Sequence, residues 1–298
     1  MVAVTAAMRD GTAVGAQASE EDGTGGPDAA NDGEDAMMPA YRQALITGAS
    51  GGIGAAFARR LPKTTALLLT GRDRQRLDEL AGWLIRHGRT VEVFPADLTH
   101  EAERDRLIER AEACGTDLLI NNAGAGRFGR FLDSPAGVEQ DTVLLNVVAV
   151  VDLTRRLLPG MLAGARGERR RAGLIIVGSA AGLAPVPMFA TYAASKVFDL
   201  QFTEALAEEL HDEPVDVVAL LPGPTRTGFG PRAGWRGAAI PGAADPDDVA
   251  ADGLAALGKR TVCVAGRLNG AALAPVMAPR RLVAGALGMA MRFVARRR

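Results

Sequence analysis

One of the two tyrosines in this chain, Tyr192, stands four residues before a lysine, Lys196, in "ATYAASKVFD" (190–199). A free phenol has a pKa near ~10 and exchanges its proton poorly at neutral pH, so a tyrosine acting as an acid or base needs a cation beside it. On one helix, a separation of four puts both side chains on the same face. The ammonium then favours phenolate and brings the group into the range that acid/base work requires. Ser179 closes the apolar run "AGLIIVGS" and offers a fixed hydrogen bond to an oxygen that gains negative charge. Taken singly, each residue has a plainer reading: a buried aromatic, an exposed lysine, a serine capping a helix. What they do depends on the elements that place them.

From Arg42 onward, short apolar runs alternate with longer stretches of helical period, the pattern of strands and crossover helices in a parallel sheet. The runs "QALIT", "TALLLT", "TVEVFPA", "DLLINNA", "AGLIIVGS", "VDVVALLP" and "TVCVAG" predict strands, with helices beginning near Gly52, Arg74, Glu101, Val138, Thr191 and Asp247. The expected fold is α/β, a Rossmann-type doubly wound sheet of about seven parallel strands with helices on both faces. The arginine-rich "AGARGERRRAG" (163–173) reads as a solvated loop without a role.

The first strand runs into "TGASGGIG", with glycines at Gly48, Gly52 and Gly54, and then into a helix. A turn that lets a pyrophosphate approach its amides needs residues without side chains, and the helix behind it offers its positive N-terminus to the phosphate. The second strand ends in "LLLTGRDRQRL". An acidic side chain there would accept from a ribose 2'-hydroxyl, whereas an arginine suits a 2'-phosphate. Arg72 occupies that place, with Arg74 close behind, so the expected cofactor is NADP(H).

These segments, with "NNAG" at 121–124, Asn146, "YAASK" at 192–196 and "PGPTRT" at 222–227, together and in this order, resemble the classical short-chain dehydrogenase/reductases. The resemblance covers about residues 42 to 265. It implies that Tyr192 is the acid/base, Lys196 the residue that lowers its pKa and holds the nicotinamide ribose, and Ser179 the donor that polarises a carbonyl. Asn146 would support a water chain behind the lysine. For the cofactor it implies Gly48, Ser50, Gly52, Ile53 and Gly54 at the turn, and Asp97 with Leu98 at the adenine. Asn121 and Gly124 would line its adenosine side, and Pro222, Gly223 and Thr225 would meet the carboxamide. The activity so implied is hydride transfer between nicotinamide and a carbonyl or secondary alcohol, in a homodimer or homotetramer.

Apolar residues flank these positions, "LAPVPMF" before Tyr192 and Phe229, Trp235 and Ile240 after the sixth strand, and suit a lipophilic ketone or a 3-oxoacyl substrate. Arg226, Arg232 and Arg236 in that loop could meet an anionic head group or carrier, although solvated charges are commoner. The main alternative is an NADP-binding sensor on the same fold, since fold does not dictate function. Such proteins typically lose the tyrosine or the lysine. Epimerisation or dehydration at the same site is a second alternative, against which stands the lack of a larger substrate domain.

A formal net charge of −1 and few aromatics give no sign of a nucleic-acid surface. Cys114 and Cys263 stand apart, and His87, His100 and His211 are scattered, so neither a disulfide framework nor a metal is implied. Small core thiols suit a reducing compartment, and a cytoplasmic location is expected. Residues 1–40 read as a disordered leader, rich in Gly, Asp and Glu and without an apolar period. Residues 41–266 read as the catalytic domain. Residues 267–298 form an apolar, basic tail similar to the extension of a subgroup related to bacterial DltE-type reductases. Its apolar run is too short to span a bilayer. The tail is expected to cover the substrate pocket or a subunit interface, with contact to an anionic membrane surface as the lesser alternative.

Overall fold

The computed structural model describes residues 41–235 and 242–266. The readings of residues 1–40 as a leader and 267–298 as an extension, and those of Arg236 and Ile240, lie outside the described residues.

Seven strands form one parallel sheet: β1 (Gln43–Thr47), β2 (Ala66–Gly71), β3 (Val91–Pro95), β4 (Leu118–Asn121), β5 (Ala172–Val177), β6 (Val215–Leu221) and β7 (Val262–Val264). Each sits where a short apolar run predicts it. The order β3-β2-β1-β4-β5-β6-β7 is that of a doubly wound fold. The chain leaves β1 toward one edge and returns to its other side at β4. That reversal opens a crevice at the carboxyl ends of β1 and β4, where such sheets bind ligands.

Alternation along the strands decides which layer each side chain enters. Ala44 and Ile46 of β1, Leu67 and Leu69 of β2 and Leu118 and Ile120 of β4 face one core, covered by α1 (Gly52–Arg60), α2 (Arg74–Arg86) and α8 (Pro246–Ala256). Leu45, Leu68 and Leu119 face the other, covered by α3 (Glu101–Ala113) and α5 (Ala149–Glu168). The remaining helices are α4 (Ala136–Val143), α6 (Ala190–Glu209) and the single turn α7 (Phe229–Arg232). No helix among the described residues is long and apolar enough to cross a membrane.

The segment 163–173 departs from its expected loop. Helix α5 continues to Glu168 and stops at Arg169, whose φ of 54° is left-handed. Three of its arginines make ion pairs, although Arg166, Arg169 and Arg171 also remain exposed, as expected. Arg166 pairs with Glu213, Arg170 with Asp117 at 2.8 Å and Arg171 with Asp216 at 2.6 Å. Cations at a helix C-terminus also complement its dipole. Glu168 also holds Arg170, at 2.6 Å, but the other acids come from segments distant in sequence, which charge patterning along one stretch does not reveal.

Candidate active site

The glycine turn fixes one wall of the crevice. Gly48 and Gly52 have φ of 64° and 56°, a region that favours glycine. A Cβ on Gly48 would lie 2.8 Å from the Cα of Ala123, and one on Gly54 would lie 2.5 Å from Asn122 Nδ2. Gly54 therefore serves packing of α1 against the β4 loop and does not line the cleft. Helix α1 begins without a side-chain cap or an acidic residue in its first turn, so its leading N–H groups remain available to an anion. Thr47 Oγ1 accepts hydrogen bonds from the amides of Asn122 and Ala123, both at 2.9 Å, and ties the end of β1 to the loop after β4.

The cleft has a volume of about 1080 Å³ and is lined by Gly48, Ser50, Gly52, Ile53, Arg72, Asp97, Leu98, Gly124, Ser179, Tyr192, Lys196, Pro222, Gly223 and Thr225. The structure thus gathers most of the residues singled out in the sequence, from the ends of six strands and from α6. Asn121 is a correction. As the last residue of β4 it points into the core, 3% exposed, and its Nδ2 donates to Thr154 Oγ1. Alternation puts its neighbour Asn122 on the cleft side instead. At the far end Asp97 lies 3.7 Å from Arg72. Burial raises its carboxyl, but the hydrogen bonds from Thr99 and the Arg72 charge outweigh this and hold it below the usual carboxylate range.

Tyr192 and Lys196 do share a face of α6, with the ammonium 5.9 Å from the centroid of the phenol ring. Ser179 stands two residues after β5 and caps the short 3₁₀ turn Ala180–Leu183. Its Oγ accepts from Ala181 N at 3.1 Å, which leaves the hydroxyl hydrogen free to donate into the cleft. The plain capping role and the donor role are therefore compatible.

Asn146 is fully buried behind the cleft, in a π-helical stretch, Leu144–Val148, that interrupts the helix between α4 and α5. Its Oδ1 accepts from Ala125 N, and its Nδ2 donates to Ala125 O and to Ser195 Oγ. The side chain pins the loop after β4 to α6. Its Oδ1 and Lys196 Nζ each come within 3.6 Å of where a Cβ on Gly124 would stand, so Gly124 leaves room for both to converge.

Two features escape a motif reading. The first is Asp199, 1% exposed, whose Oδ2 accepts from Lys196 Nζ at 2.8 Å while the same nitrogen donates to the Val177 carbonyl at 2.9 Å. Burial pulls the ammonium down, but the charge of Asp199 and the nearby Tyr192 hold it above the ordinary lysine value. Burial also raises the Asp199 carboxyl. The short contact and the second acceptor at Val177 make the ion pair the stable form. The residue stands three positions after the lysine and was open to a search of the helix face for acids.

The second is an aromatic wall. Ring centroids lie 5.0 Å apart for Tyr192 and Phe229, 5.4 Å for Tyr192 and Phe189, 5.3 Å for Phe189 and Phe128, and 4.7 Å for Phe128 and Trp235. Backbone bonds join the three loops that carry these rings, from Phe128 N to Ala233 O and from Gly129 N to Met188 O.

Known proteins share this fold. The chain is 40% identical over 187 residues to nodulation protein G of Rhizobium sp. (strain N33), covering 61% of this chain and 72% of that protein. A short-chain dehydrogenase from Sphingobium yanoikuyae in complex with NADPH superposes with a TM-score of 0.72 at 30% identity, covering 81% of this chain and 94% of that one. A short chain dehydrogenase/reductase from Burkholderia phymatum in complex with NAD gives 0.68 at 28% identity, with 79% and 91% covered. Residues 42–234 match the family model described as short chain dehydrogenase, and the chain belongs to that family of oxidoreductases.

Proposed function

We propose that this short chain dehydrogenase is an NADP(H)-dependent reductase of a lipophilic ketone or 3-oxoacyl compound, with Tyr192 as its acid/base. The observation that carries the reading is the join of two surfaces at Tyr192: a phenol beside a buried ammonium, set in an aromatic wall that lines a dinucleotide-sized cleft.

The residues present fit such a cofactor. The glycine turn and the uncapped start of α1 would hold its pyrophosphate, Asp97 and Leu98 its adenine end, and Pro222, Gly223 and Thr225 its carboxamide. Arg72, exposed and paired only loosely with Asp97, would take a 2'-phosphate through its planar fork. Bound there, the nicotinamide supplies the hydride. The chain's own residues manage the oxygen. Ser179 donates a hydrogen bond to the substrate carbonyl and polarises it, and the phenol of Tyr192 gives its proton as negative charge grows on that oxygen. Lys196 stabilises the phenolate that remains. Phe128, Phe189, Phe229 and Trp235 exclude water and favour an apolar ligand.

The test follows NADPH absorbance with a panel of hydrophobic ketones and 3-oxoacyl thioesters, NADH in parallel, and Tyr192→Phe as control. The variant should lose turnover while binding NADPH nearly as the wild type does. A variant retaining most of its turnover removes Tyr192 from the chemistry, and equal kcat/KM with both cofactors removes the NADP preference.

A further inference from the structure

We infer that Arg232, on the single turn α7, is a third guanidinium of the 2'-phosphate site, so that the group distinguishing the two dinucleotides also holds the wall of the substrate pocket. The inference rests on the NADP(H) reading and deepens it.

The placement is set by close contacts. A Cβ on Gly52 would stand 3.0 Å from Thr227 Cγ2, so the segment after β6 lies against the glycine turn. One on Gly228 would stand 2.5 Å from Arg232 Nη1, so the guanidinium folds back along that segment toward the turn. Across the turn, a Cβ on Gly71 would lie 3.5 Å from Ser50 Oγ, and Arg72 and Arg76 follow from there. Arg72, Arg76 and Arg232 line one cleft, as do Ser50 and Gly71.

Among the described residues these charges are not all paired. Arg72 has Asp97 at 3.7 Å and Arg76 has Asp73 at 3.3 Å, whereas Arg232 makes no ion pair among the described residues. Burial, then the charges of Arg76 and Arg72, hold its guanidinium below the usual arginine value. An arginine serving only solubility would turn from two like charges into water. Convergence of like charges on one cleft is relieved by an anion between them, and a phosphate dianion accepts from several planar forks at once.

The consequence for the substrate follows from the shortness of α7. Phe229 and Arg232 are its first and last residues, and the ring of Phe229 packs on Tyr192 at 5.0 Å. A phosphate that anchors Arg232 steadies Phe229, and with it the pocket for the ketone. The 2'-phosphate then affects the KM of the ketone as well as cofactor affinity.

Calorimetric titration with adenosine 2',5'-bisphosphate and with 5'-AMP tests this on the wild type, Arg232→Ala and Arg72→Ala. Steady-state ketone kinetics with NADPH and NADH accompany it. Arg232→Ala should weaken the bisphosphate by about 10-fold, the loss of a charge-assisted contact, and leave 5'-AMP unchanged. It should raise the ketone KM with NADPH toward the wild-type value with NADH. Unchanged bisphosphate affinity in Arg232→Ala, with a loss in Arg72→Ala, overturns this inference and leaves the NADP(H) reading standing. A wild type that binds the bisphosphate no better than 5'-AMP overturns both. An effect confined to anionic substrates assigns Arg232 to a substrate head group and overturns the inference as well.

Discussion

Asparagine in place of Asp199 would remove the only carboxylate among the described residues that contacts Lys196. At 2.8 Å and an effective dielectric constant of about 20, the gross attraction of the pair is about 6 kcal/mol, most of it offset by the desolvation of both ions. Breaking such a pair from one side leaves an uncompensated buried charge and costs about 3–5 kcal/mol. For a domain of this size that corresponds to a fall in Tm of about 6–20 °C. Lys196→Met should behave differently, because the orphaned carboxyl can take up a proton. Its folded pKa is then raised by burial, the folded state binds more protons than the unfolded, and stability falls as pH rises through the carboxylate range. In the wild type both groups are raised: the Lys196 contribution is present in full below the unfolded lysine value of 10.5 and is lost as pH climbs through the higher folded one, while the raised Asp199 carboxyl works against stability as pH rises through the carboxylate range. The double variant Asp199→Leu/Lys196→Met removes both charges and should recover most of the loss from Asp199→Asn, since an apolar replacement of a buried pair is often neutral. Urea and thermal unfolding of the variants at pH 5 and pH 8 measure this. If the double variant loses the sum of the single losses, the two residues are not coupled and the ion pair is not what holds Lys196.

Gly126→Ala would put a Cβ 2.8 Å from Tyr192 Cδ2, so the ring or the loop must give way. A displacement of that order should reduce kcat by about 10- to 100-fold with NADPH affinity nearly unchanged, and wild-type kcat would show that the ring has room to move. Tyr41 is the other tyrosine, 4% exposed, with its hydroxyl unpartnered among the described residues and its ionisation pushed far up by burial and by Asp216 and Asp117. Tyr41→Phe removes an unsatisfied buried group and should leave stability unchanged or raise it by up to about 1 kcal/mol, whereas a drop larger than that in thermal unfolding would reveal a partner for the hydroxyl.

Strand positions were legible because each is a short apolar run between turn signals, and a fully buried parallel strand has little other way to be written. The glycine turn, Ser179, Tyr192 and Lys196 were legible because local geometry dictates their types: positive φ, a strand end, one helical turn. The same local logic failed where partners come from elsewhere in the chain. The acids that meet Arg170 and Arg171, Asp117 and Asp216, lie 53 and 45 residues away. Asn121 and Asn122 differ only in which side of β4 each faces, and that is set by the helices packed on either side. Asp199 pairs with Lys196 locally, three residues on along α6, and what the fold adds is the burial of both. The sequence by itself thus determined the order of elements and the chemical types at the cleft. The tertiary structure alone decided which charges are buried, which guanidiniums line one cleft, and which rings meet at Tyr192, because these depend on segments that share a surface without sharing a stretch of chain.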